Sequence, residues 1–139
     1  MARIVSMLTI AFVMLACIAS AQPAIKKTPV TPTSAASGQE MFKTYCAACH
    51  GQDAKGDGPA ATALKKAPAN LTQLSAHNGG KFPDLKVMAT IKGDAETPAH
   101  GSKDMPVWGT LFASVSGSQA EVQLRISNLT EYVKSIQAK

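Results

Sequence analysis

Residues 46–50 read Cys-Ala-Ala-Cys-His, and no other stretch restricts the chain so tightly. Two residues between the cysteines make about one helical turn, so both sulfurs project along one edge of the same helix. The next residue adds an imidazole on that side. This is the spacing of a covalent haem attachment site, in which the two thiols form thioethers with the haem vinyl groups and the histidine is held under the iron. Two other chemistries use a Cys-x-x-Cys pair. A thioredoxin-like dithiol needs alternating strands and helices around it, and none are readable here. A zinc site needs a second Cys or His pair at ligand spacing, which the sequence does not supply.

The third cysteine, Cys17, belongs to a different segment. Arg3 is followed by an apolar run from Ile4 to Ile18 broken only by Ser6 and Thr9, and Ala19-Ser20-Ala21 offers the small-x-small pattern of signal peptidase. The run is short for a membrane span, so residues 1–21 are expected to be a cleaved export signal. A retained anchor is one alternative. Another is lipidation at Cys17, because Met14-Leu15-Ala16-Cys17 loosely resembles a bacterial lipoprotein box. Residues 22–36 are rich in Pro, Thr, Ala and Ser and carry only Lys26 and Lys27 as charges. Such a stretch buries too little apolar surface to offset its ordering entropy, and reads as a flexible tether. The folded domain is then expected over 37–139.

That domain opens and closes with amphipathic helices. Ser37-Gly38-Gln39-Glu40 is a capping box, with the glutamate reaching back, and Met41, Phe42, Tyr45 and Cys49 follow at helical spacing. Ser118-Gln119-Ala120-Glu121 is a second box, after which Val122, Ile126, Leu129, Val133 and Ile136 form an apolar stripe. Gln, Arg, Ser, Asn, Glu and Lys are expected to cover the solvent side of that helix. Between the two, a Gly58-Pro59 turn leads into a short helix over Ala60 to Lys66. A further helix runs from Phe82-Pro83-Asp84 to about Lys92, closed by Gly93, with Leu85, Met88, Val87 and Ile91 on its buried side. The remainder reads as loop. No run of alternating β-branched residues suggests a sheet, so the fold class is all-α.

The order of capped helix, Cys-Ala-Ala-Cys-His-Gly, Gly-Pro turn, short helices, Asp104-Met105-Pro106 loop and terminal amphipathic helix resembles a class I c-type cytochrome. The resemblance covers about residues 37–139. It implies a small cytochrome c fold, with helices and loops wrapped around one covalently bound haem c. It further implies that Cys46 and Cys49 bind the haem and that His50 ligates its iron. Gly38 and Phe42 fall where the family has its helix-crossing glycine and aromatic residue, and Tyr132 where the last helix offers an aromatic partner. Pro59 resembles the proline whose carbonyl accepts the hydrogen bond of the proximal imidazole. Asn70, Leu71 and Trp108 match segments that form the haem environment.

Met105, beside Pro106 in a polar loop, matches the family's axial methionine, and a thioether suits low-spin haem iron. Met41 and Met88 fall on apolar helix faces and read as packing residues. His77 and His100 are the other candidates for the sixth position. With both axial positions filled, the iron would cycle between two oxidation states without binding substrate, so an electron carrier is expected rather than an enzyme. The alternatives are a haem subunit of a larger oxidoreductase, and a haem enzyme or gas sensor with a displaceable sixth ligand.

The chain carries 14 Lys and Arg against 9 Asp and Glu. Cleavage after Ala21 would remove only Arg3 from this set, and lower the formal charge from +5 to +4. Lys55, Lys65, Lys66, Lys81, Lys86, Lys92 and Lys103 all lie between the two ligand candidates, where they could steer an acidic redox partner or simply form a solvated surface. Neither the modest charge nor the aromatic content suggests nucleic acid. The resemblance implies a quinol-oxidising complex or a dehydrogenase as donor and a terminal oxidase as acceptor. It also implies a periplasmic location, with membrane association only through an N-terminal anchor.

Overall fold

The computed structural model describes residues 32–94 and 105–138. The export signal, Cys17, His100 and Lys103 lie outside the described residues. The first helix starts where Ser37 predicts: Ser37 is extended and its hydroxyl accepts the Glu40 N–H at 3.1 Å. Helix α1 follows at Gly38–Met41, continues through one π turn at Phe42–Cys46, and resumes as α2 at Ala47–His50. The Glu40 carboxylate does reach back, but past the cap, to the N–H of Ser34 at 3.4 Å. Three more helices complete the set: α3 at Asp84–Lys92, α4 at Trp108–Val115 and α5 at Gln119–Ser135. Three single 3-10 turns, Ala61–Ala63, Leu71–Gln73 and Ala76–Asn78, punctuate the loop between α2 and α3. Among the described residues there is no strand, and the fold is all-α.

Helix α5 is the element on which the others converge, packing against α1, α3 and α4. Its stripe is the one the spacing predicts: Val122, Ile126, Leu129 and Val133 are buried, and Ile136 is half-buried. They meet Met41, Phe42, Ile91 and Phe112 in the core, and each such side chain contributes about 1.5–3 kcal/mol as an upper estimate. The α1–α5 crossing needs a residue with no side chain. A Cβ on Gly38 would collide with the Asn128 carbonyl and the Tyr132 Cβ, so the two backbones touch there. One turn on, the Phe42 and Tyr132 rings lie 5.3 Å apart. Gly38, Phe42 and Tyr132 thus form the crossing that the resemblance implies.

Four expectations need correction. The helix expected over residues 60–66 shrinks to the 3-10 turn at Ala61–Ala63, with Leu64 already extended. Thr62 and Ala63 are exposed, and a single turn with so little apolar surface to bury is not stable as an α-helix. The residues after Met105, by contrast, are not loop but α4. Trp108 and Phe112, four apart, turn the same face toward Tyr45, at 5.4 and 5.8 Å between ring centres. Leu85 is 83% exposed. Ile91 is buried and Val87 and Met88 pack against the core, so that side of α3 faces inward and leaves Leu85 facing outward.

The fourth correction concerns Arg125, which is not on the solvent side of α5 but only 3% exposed. Its Nη1 donates to the Thr33 carbonyl at 2.9 Å and Nη2 to Glu121 at 2.8 Å, while Nε donates to the Ser116 hydroxyl at 3.0 Å. A buried guanidinium is tolerated when its donors are matched in this way. Thr33 is buried, and Asn128 donates to the Ala35 carbonyl at 2.8 Å. The packed unit therefore includes residues 33–36, which composition assigns to the tether.

Candidate functional site

The carbonyls of Ala48, Cys49 and His50 at the end of α2 have no helical partner of their own, and the following loop supplies all three. Gly51 N–H closes the helix on the Ala47 carbonyl at 2.9 Å; beyond it, Ala60 N–H reaches the Ala48 carbonyl at 2.9 Å, Gly58 that of Cys49 at 3.0 Å and Gly56 that of His50 at 2.8 Å. The loop lies so close to the helix that a Cβ on Gly58 would stand 2.5 Å from the Ala48 oxygen. Residues 51–60 thus clamp the end of the helix that carries Cys49 and His50.

Cys46 and Cys49 are free thiols, each half-buried. Burial first, and the neighbouring Cys49 second, push the Cys46 thiol up to about 12. A redox dithiol needs the opposite, a thiol whose pKa is lowered to favour the thiolate. Among the described residues no group of three or more His, Cys, Asp or Glu side chains is arranged to hold a metal ion.

His50 is half-buried, and its Nδ1 lies 3.1 Å from the Ala69 carbonyl oxygen. A ring nitrogen that donates to a carbonyl fixes the tautomer and leaves Nε2 as the metal donor. The acceptor is not the one that the resemblance implies. Pro59 is exposed at the turn beside the helix end, and the chain returns to the imidazole only ten residues later, after Pro68. Ala69 is followed by Asn70, whose side-chain oxygen accepts from Thr72 N–H at 3.0 Å and the Thr72 hydroxyl at 2.7 Å, opening the turn at Leu71–Gln73. Leu71 N–H donates to the Ala54 carbonyl at 2.8 Å, joining this segment to the clamp loop. Asn70 and Leu71 are therefore brought to His50 through the backbone on which they sit.

Trp108 is the first residue of α4 and half-buried, and Met105 is half-buried three residues before it. Tyr45, Trp108 and Phe112 form a mutual ring cluster immediately before Cys46 in the helix, with Trp108 and Phe112 5.8 Å apart. The Tyr45 hydroxyl accepts from the Thr33 hydroxyl at 3.2 Å. The sequence places Tyr45 on an apolar helix face but does not disclose this cluster, because two of its members lie in a segment read as loop. His77 is exposed on the turn at Ala76–Asn78. Lys55, Lys65, Lys66, Lys81, Lys86 and Lys92 are all exposed.

The donor chemistry fits a c-type haem. Two half-buried thiols and an imidazole share one helix end, the imidazole is oriented by a carbonyl, and half-buried Leu71, Leu74, Phe82, Met88 and Trp108 flank the core as apolar surface. The family described as cytochrome C oxidase, cbb3-type, subunit III matches residues 33–118, more than half of the chain. The match begins at the buried Thr33 and ends at Ser118, the cap of α5. No curated protein and no solved structure matches the chain.

Proposed function

Because this chain belongs to the cbb3-type cytochrome c oxidase subunit III family, and so is a c-type cytochrome that transfers electrons through haem, we propose that it holds one haem c covalently and works as a one-electron carrier. Cys46 and Cys49 would hold the macrocycle as thioethers, and His50 and Met105 would ligate its iron. The haem supplies a one-electron Fe(III)/Fe(II) couple. The protein's own residues bind it, orient the histidine and limit water access. The observation that carries this reading is the clamped end of α2, where the Cys49 and His50 carbonyls are each capped by a loop N–H and the imidazole is held by Ala69.

The carrier works on the exported side of the membrane, in the periplasm, after cleavage following Ala21 or lipidation at Cys17. It takes electrons from a quinol-oxidising complex or a dehydrogenase and passes them to a terminal oxidase. His/Met ligation and burial raise the potential toward the range such an acceptor needs. The test is an absorption spectrum of the oxidised protein. A near-infrared sulfur-to-iron charge-transfer band supports Met105 as ligand, and high-spin features without that band overturn it.

The family description names an oxidase subunit, which favours a second reading, a haem c subunit docked permanently in such a complex. Salt dependence separates the two. A free carrier steered by its lysines slows with rising ionic strength, as screening shortens the field to about 8 Å near physiological salt. Electron transfer that is indifferent to salt supports the fixed subunit.

A further inference from the structure

Residues just past a helix end commonly fray, because few contacts repay their ordering. Those that follow α5 are held. Gln137 is half-buried, and its side-chain amide is bonded on both sides. Its Oε1 accepts the Ser75 N–H at 2.9 Å, while Nε2 donates to the Leu71 carbonyl at 2.7 Å and to the Val133 carbonyl at 2.8 Å. The next residue, Ala138, donates its N–H to the Thr72 carbonyl at 2.8 Å. Every one of these bonds except that to Val133 falls on the backbone of residues 71–75.

That backbone follows directly from Ala69, whose carbonyl stands 3.1 Å from His50 Nδ1. The link between them is short and stiff. Asn70 holds Thr72 by two bonds, and Leu71 N–H is tied to Ala54. A peptide oxygen at 3.1 Å from a ring nitrogen is at the long side of the range, so small backbone shifts change the bond strongly. What fixes Ala69 is therefore what fixes the strength of the imidazole bond. On one side that is the clamp loop, and on the other the end of α5.

We propose that Gln137 is a positioning residue for His50, holding the Ala69 carbonyl in line with the imidazole Nδ1 through the turn at 71–75. The proposal rests on His50 as the iron ligand. A carbonyl bonded to Nδ1–H raises the basicity of the ring and makes it a stronger donor to the metal, which favours the oxidised iron. Loosening that bond raises the reduction potential.

The experiment compares haem-loaded Gln137→Met, which keeps the length of the side chain and removes its three bonds, with Thr130→Val. Thr130 is buried, and its hydroxyl bonds within α5, to the Ile126 carbonyl at 2.8 Å, rather than to the backbone of residues 69–75. Gln137→Met is expected to raise the midpoint potential and to speed exchange of the His50 Nδ1 proton roughly five- to tenfold, as loss of about one hydrogen bond allows. Thr130→Val is expected to lower stability and leave both readouts in place. If Gln137→Met does not load haem, Gln137→Glu, which keeps the acceptor for Ser75, carries the same comparison. Loss of stability with an unmoved potential and unmoved exchange would overturn the proposal, and leave Gln137 as a staple of the chain end. His50 ring protons that show no paramagnetic shift in the oxidised, unaltered protein would overturn the proposed function itself. Shifted ring protons with an unmoved potential in the variant sink this proposal alone.

Discussion

The two parts of the chain that carry the ligand candidates are held by different forces. Around Cys46, Cys49 and His50, residues 46–75 are tied by hydrogen bonds to the backbone: three helix-end carbonyls capped by the loop, Ala54 bonded to Leu71, Ala69 to the imidazole. Around Met105, the segments 84–94 and 105–115 are held mainly by side-chain packing. Ile91 and Phe112 are buried, Met88 and Trp108 half-buried, and Val107 and Leu111 50% and 39% exposed. Hydrogen bonds are directional and fix atoms, whereas apolar contact is non-directional and fixes only volume. A site that must present an imidazole at one angle is served by the first, and one that must present a soft thioether and an apolar wall by the second.

The largest expected effect breaks the first part outright. Replacing Cys46 and Cys49 together by Ala should abolish covalent haem, read as haem that acid-acetone extracts completely; haem that resists extraction would refute thioether attachment. Next, Gly58→Ala pushes a Cβ to 2.5 Å from the Ala48 oxygen and 2.6 Å from that of Ala47. It should cost about 3 kcal/mol in urea unfolding, at the upper end for overpacking, because both obstacles are backbone. A loss below about 1 kcal/mol would show that the clamp is soft.

In the second part, Met105→Ala should retain covalent haem, lower the potential and open the iron to carbon monoxide. Met88→Ala should leave the spectrum unchanged and cost about 1–2 kcal/mol, less than a fully buried methionine would. Exchanged phenotypes would make Met88 the ligand. The smallest effect is electrostatic. The hydrogen bond from Lys134, and then its charge, hold the Asp84 carboxyl below its usual range. A lowered carboxylate stabilises the fold above its unfolded pKa, about pH 4, and loses that contribution as pH falls through the folded value. Asp84→Asn should therefore flatten a small part of the acid limb of urea midpoints, and an unchanged limb would show the exposed pair to be idle.

What could be read from the sequence follows the same division. Cys46, Cys49 and His50 can be read as a candidate site because they fall within five successive positions. The two capped helices are legible because Ser37 and Ser118 mark their starts and the apolar spacing marks their buried faces. The Ala69 carbonyl is not legible, since any residue carries one and only the path of the loop decides which comes to the imidazole. Arg125 has the sequence context of a solvent-facing residue and becomes buried through Thr33, 92 positions away. Helix α4 escapes notice because its buried face is completed by Tyr45, across the molecule, rather than by a repeating stripe of its own.

The π turn at Phe42–Cys46 sets a rotational offset inside one continuous helix. Upstream of it, Gly38 is indexed to the backbone of α5; downstream, Cys49 and His50 are indexed to the clamp loop. Since each residue of an α-helix turns the chain by about 100°, a regular helix of the same sequence could not satisfy both contacts with the same side chains. The wide turn absorbs the mismatch, as such turns often do beside functional residues. Length between the crossing glycine and the first cysteine is therefore an angular coordinate, and losing one residue there would swing Cys46, Cys49 and His50 around the helix axis rather than merely shorten it.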